Sequence, residues 1–146
     1  MSTKPARHLL VLLGLASLGL LSAGLVNAQV KKGKTRLTKT AYLMKGVMKP
    51  HCTDLKKGLD ALPANDEAWE ALAINAAVIN ELSYVLMEDG RCPDATWADA
   101  ATKTLRPGSA DVLKAVEAKD LVAAKKAFGS MTQACKACHD AHRKEK

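Results

Sequence analysis

The spacing of apolar residues beyond position 34 restricts this chain to helices. Over roughly residues 35–62, Leu37, Ala41, Met44, Met48, Leu55 and Leu59 recur at intervals of three, four or seven. On a helix that spacing forms one continuous stripe, and His51 falls on it. Pro50 lies inside the segment; it lacks a backbone N–H, so a kink or a broken backbone bond is expected there. "LPAND" closes the segment: Pro63 stops the helix, and Asn65 is placed to cap the next one, with Asp66 and Glu67 in its first turn. "DEAWEALAINAAVINELSYVLMEDG" follows and ends at Gly90, a natural helix stop. It carries one stripe through Trp69, Leu72, Ala76, Ile79 and Leu86 and another through Ile74, Val78, Leu82 and Val85. A helix apolar on so much of its surface is heavily buried. A third segment opens after Pro93, with Asp94 or Thr96 near its start and Trp97 in its first turn. "RPGSAD" predicts a kink there, or two shorter helices around Pro107 and Gly108. Asp120 then caps a last helix, "LVAAKKAFGSMTQACKACHDAHRK".

No run of alternating β-branched residues interrupts this Ala-, Leu-, Lys- and Glu-rich pattern, so the fold class is all-α. Four helices joined by short connections favour an antiparallel up-down four-helix bundle. That order sets the end of the last helix beside the first half of the first one, with "YLMKGVMKPH" opposite "CKACH".

The first 28 residues stand apart from this pattern. Lys4, Arg7 and His8 make a positive start, an apolar run of about 17 residues follows, and "VNA" offers small residues at a cleavage site before Gln29. The run is short for a membrane span, so residues 1–28 read as a cleaved signal peptide and residues 29–146 as one exported bundle domain, located in the periplasm. Removing Lys4 and Arg7 leaves 20 basic against 15 acidic residues, a net charge of +5. The surplus gathers in "KKGKTR" and "HRKEK". With so few aromatics in an exported chain, nucleic acid is excluded as a partner, as is a membrane once the leader is gone. A solvated surface or an acidic protein partner accounts for the charge.

Of the four cysteines, two stand in the motif Cys135-x-x-Cys138-His139, the attachment signature of a c-type haem. On a helix these three residues occupy one face of one turn. Two sulfurs can form thioethers to the vinyl groups of a haem lying along that face, and His139 can turn its imidazole to the iron as proximal ligand. A structural zinc site asks for four convergent ligands, and no second C-x-x-C is present. A thioredoxin-like dithiol belongs beside a βαβ pattern, which is absent. The cofactor expected is therefore one covalent haem c. Cys52 and Cys92 remain: they are free to pair, to stay reduced, or to lie near the cofactor.

At this point the chain resembles cytochrome c′ and its low-spin relatives, the class II c-type cytochromes. The resemblance rests on "CKACHDAHR", with Arg143 four residues after the motif histidine, on "MKPHCTDLKKGL" in the first helix, and on "CPDATW" at the opening of the third. It extends in order over the whole mature chain, with the haem motif its most specific part. Pro50, His142 at a position where the family commonly has an aromatic, and Cys52 and Cys92 depart from the family's pattern.

The resemblance implies a distal position on the first helix. A methionine there makes a six-coordinate electron carrier, whereas a non-ligating residue leaves the iron open to small gases. The Met-Lys alignment points to Met48, with Met44 and His51 as alternatives. Methionine ligation suits electron transfer because it raises the reduction potential. Arg143 is a candidate partner for a haem propionate, and His142 belongs at the haem edge or in solvent. The resulting expectation is a periplasmic electron carrier, not an enzyme, that meets redox proteins with acidic docking surfaces and leaves a homodimer open. The alternative is a five-coordinate protein that binds nitric oxide or carbon monoxide.

Overall fold

The computed structural model describes residues 33–143; the expected signal peptide, residues 1–28, lies outside the described residues. Four helical rods make up the structure. The first, α1, covers residues 40–61 as an α-helical turn Thr40–Leu43, a π-helical stretch Met44–Met48 and an α-helix Lys49–Ala61. The second, α2, is Asp66–Val85. The third, α3, covers residues 95–117 as Ala95–Asp99, a π-helical stretch Ala100–Leu105 and Arg106–Glu117. The fourth, α4, is Leu121–His142. No β-strand occurs among the described residues, and no described helix is long and apolar enough to cross a membrane.

The capping residues act as their chemistry dictates. Asn65, Asp94 and Asp120 each accept a hydrogen bond from the backbone N–H three residues on, at 2.9, 3.0 and 2.9 Å, which satisfies a donor the helix itself leaves unpaired. Leu62, with φ of 64°, turns the chain out of α1 ahead of Pro63. Helix α2 ends at Val85, short of Gly90. The Trp97 indole holds the following turn by donating to the Leu86 carbonyl at 2.9 Å, and Gly90 in that turn adopts φ of 70°.

The two proline-bearing rods run on as helix past their prolines and do not divide into separate shorter helices. Pro50 and Pro107 each follow a π-helical stretch by two residues, and both rods keep helical dihedrals through the junction, as at Lys49 (−63°, −49°) and Arg106 (−61°, −55°). A proline in an α-helix removes a donor and its ring strikes the carbonyl four residues back. An added residue in the preceding turn shifts that carbonyl, so the hydrogen-bond register changes while the rod continues.

The interior runs through Leu55 and Leu59 of α1, Leu72, Ala76 and Ile79 of α2, Val112 and Val116 of α3, and Ala124 and Met131 of α4. Helix α3 packs closely on both α2 and α4, and α1 packs on α2. The α3–α4 crossing depends on Gly108: a Cβ there stands 2.9 Å from the Met131 Cα. By contrast α1 and α4 touch only sparsely. That seam is where the bundle opens.

Ahead of α1, residues 34–38 are strapped to the turn between α2 and α3. The Asp89 carboxylate accepts from the Thr35 N–H and hydroxyl at 2.8 and 2.9 Å and from the Arg36 N–H at 2.9 Å. The buried Arg91 donates to the Thr38 carbonyl at 2.7 Å.

Candidate cofactor site

Helix α4 positions the motif. Cys135, Cys138 and His139 all face one cavity of about 50 Å³. Met44 and Met48 of α1 close it on one side, and Trp97, Ala100, Ala101 and Leu105 of α3 on another. Both π-helical stretches thus border the cavity. Across Met44 and His139 it adjoins an outer cleft of about 370 Å³, lined also by Ala41, Lys45, Lys49 and Arg143. The result is a slot with an apolar floor and a basic mouth along the sparsely packed seam.

Burial sets the protonation of the motif. The Cys135 and Cys138 thiols are both pushed up to about 11, chiefly by desolvation. Cys52 adds to the effect at Cys135, and Cys135, Asp94 and Cys92 add to it at Cys138. Burial also lowers the His139 pKa, helped by the Arg143 charge and opposed by Asp140. The imidazole is therefore neutral near pH 7, with a lone pair free for a metal.

The other candidates separate clearly. Met48 is buried at the cavity wall, and Met44 borders both cavity and cleft. His51 is turned away: its Nδ1 meets Asn75 Oδ1 of α2 at 2.7 Å, and it lines neither space. Arg143 stands at the basic mouth. His142 is not in solvent; its side chain is 8% exposed, with Nε2 3.4 Å from Asp94 Oδ1. Its ring meets Trp97 edge-on, centroids 5.5 Å apart, and the buried Nε2 has no hydrogen-bond partner. Cys52 and Cys92 are free thiols in this structure, as are the motif cysteines. Sequence reasoning missed Lys45 and Lys49 as parts of the site. Their signal was spacing: four apart, they share a helical face.

These residues fit a haem. Adjacent thiols and a neutral imidazole on one helical face supply the attachment chemistry. The apolar floor suits the ring, and the cationic mouth suits its two carboxylates.

Helices whose last member turns two thiols and an imidazole into an apolar slot offer the attachment chemistry of a c-type haem. The family model Cytochrome C′ matches residues 89–143, from the turn before α3 to the end of α4, so this part of the chain is similar to the cytochrome c′ family. Members of that family bind covalently attached haem c. Searches of curated proteins and of solved structures each returned no match. The matched region contains the whole motif, and α1 with Met44 and Met48 lies before it.

Proposed function

We propose that this protein is a periplasmic electron carrier, delivered by a cleaved leader at residues 1–28 and folded as an antiparallel up-down four-helix bundle around one covalent haem c. Cys135 and Cys138 would hold the porphyrin through thioethers, and His139 and Met48 would ligate its iron. When bound, the haem supplies one-electron exchange at its iron. The observation that carries the reading is Met48, buried on α1 and lining the same cavity as Cys135, Cys138 and His139. A thioether from that wall favours the reduced iron and raises the potential into the range of electron carriers.

The surrounding residues do the remaining work. Trp97, Ala100, Ala101 and Leu105 keep water from the floor, which limits solvent reorganisation during electron transfer. Lys45, Lys49 and Arg143 balance the propionates and give the exposed edge a positive field. That field speeds encounter with an acidic redox partner more than it tightens the complex. The His51 side chain lines neither the cavity nor the cleft, which supports a carrier over an enzyme that uses His51 as a distal base.

One observation favours the gas-binding alternative. Met48 belongs to the continuous hydrophobic core, and a methionine held there by packing leaves the iron five-coordinate. Absorption spectra of the matured protein separate the two. The electron carrier gives a low-spin spectrum with a methionine–iron charge-transfer band, no response to carbon monoxide in the reduced form, and loss of the band in Met48→Ala. A high-spin spectrum that shifts with carbon monoxide makes it a gas binder.

A further inference from the structure

Helix α1 supplies the cavity wall that carries Met44 and Met48. It touches α4 only sparsely and packs on α2. Its backbone ladder is irregular close to the cavity: Met44–Met48 is π-helical, and Pro50, two residues later, offers no N–H. The rotation that sends Met48 into the cavity therefore depends on the contact with α2.

A side-chain hydrogen bond stands at that contact. His51 Nδ1 and Asn75 Oδ1 meet at 2.7 Å, and both residues are half-buried. The Asn75 amide is itself oriented, because its Nδ2 donates to the Ala71 carbonyl at 2.7 Å. Its oxygen is left to face the imidazole, so Nδ1 carries the proton and donates. His51 lies three residues after Met48 and four before Leu55 on one helical face, and both of those neighbours are buried in the core. A turn of α1 that parts His51 from Asn75 carries Met48 along the cavity wall by the same angle. Packing alone is permissive there, since a methionine side chain is flexible and fills more than one position. A hydrogen bond with a preset donor and acceptor fixes one.

We propose that His51 and Asn75 are positioning residues for the distal side of the iron: their hydrogen bond locks α1 at the rotation that holds Met48 in the cavity. His51 itself lines neither the cavity nor the cleft, and the pair acts through Met48. The place of Met48 on the wall follows from the structure alone; the effect on ligation rests on the proposed function, in which Met48 is the sixth ligand. Loss of the bond lowers the ratio of methionine-ligated to open iron by about tenfold, the worth of one such hydrogen bond. An added ligand that must displace Met48 then binds more tightly by the same factor.

The test uses the matured, haem-loaded chain, with cyanide as the added ligand of the oxidised form. His51→Ala removes the donor, Asn75→Leu removes the acceptor at similar size, and His51→Asn keeps an N–H near the place of Nδ1. Cyanide affinity should rise about tenfold in the first two and stay near the native value in His51→Asn, with circular dichroism showing the helices in each. Where Asn75→Leu does not fold, His51→Ala decides. Unchanged affinity in His51→Ala overturns the positioning, and so does an equal rise in His51→Asn, which assigns the effect to the imidazole itself. A second readout needs no haem. In the full chain purified without it and labelled at the methionine methyl groups, the Met48 resonance, assigned with Met48→Leu, should move in His51→Ala and hold in His51→Asn. If the native spectrum is high-spin, the proposed function fails and this second readout alone decides the positioning; a Met48 methyl signal that stays in place overturns it.

Discussion

At one end of the bundle Leu55, Leu59, Val112 and Ala124 are sealed from solvent, and Gly108 lets α3 lie directly against Met131 of α4. At the other end Met44, Cys135, Cys138 and His139 border open space, and α1 and α4 scarcely meet. The same four helices build both ends, so the contrast comes from local choices. The sealed end has regular α-helix and small residues at its crossings. The open end has a π-helical stretch on each of α1 and α3, and the helix that faces them presents thiols and an imidazole in place of Leu or Ile. A tight end supplies stability independent of the cofactor; a loosely sealed end makes room for it.

The contrast breaks most completely at the open end. Replacing Cys135 and Cys138 together with Ala should abolish covalent haem, measured as the haemochrome remaining after acid–acetone extraction, while circular dichroism still shows the helices. Retained covalent haem would mean that the attachment sulfurs lie elsewhere. At the sealed end, Leu55→Ala removes a side chain with no exposed surface and should lower unfolding free energy by about 2–5 kcal/mol. The haem spectrum should keep its peak positions; a shifted spectrum would show that the two ends are coupled. The smallest effect concerns the strap. Asp89 is held below the usual carboxylate range by the Arg36 N–H first and then by the Thr35 N–H and hydroxyl. A carboxylate with a lowered folded pKa contributes stability above its unfolded value of 3.8, and the contribution is lost as pH falls through the folded value. Asp89→Asn should therefore speed amide exchange at Thr35 and Arg36 near neutral pH, and strong acid should do the same to the native chain without altering exchange around Leu55.

Much of this was legible beforehand because it depends on local chemistry. Asn65, Asp94 and Asp120 cap as their side chains require, and Cys135, Cys138 and His139 share a turn wherever that turn is helical. Elsewhere local rules misled. Pro50 and Pro107 ordinarily signal breaks, but the π-helical stretches ahead of them absorb the steric conflict. His51 shares the stripe of Met44 and Met48 in sequence, and only its meeting with Asn75 of α2 shows that it stays out of the slot. His142 was placed at the haem edge or in solvent, and only the approach of Asp94 and Trp97 from another rod encloses it.

The sequence by itself determined the helices, their caps and the haem motif, because each depends on residues within one or two turns of one another. Tertiary structure alone decided which methionines line the cavity with the motif and that Lys45, Lys49 and Arg143 form one basic mouth. Those relations join residues roughly ninety or more positions apart. They depend on how the rods rotate and cross, and helix periodicity carries no information about a partner helix's rotation until the side chains pack.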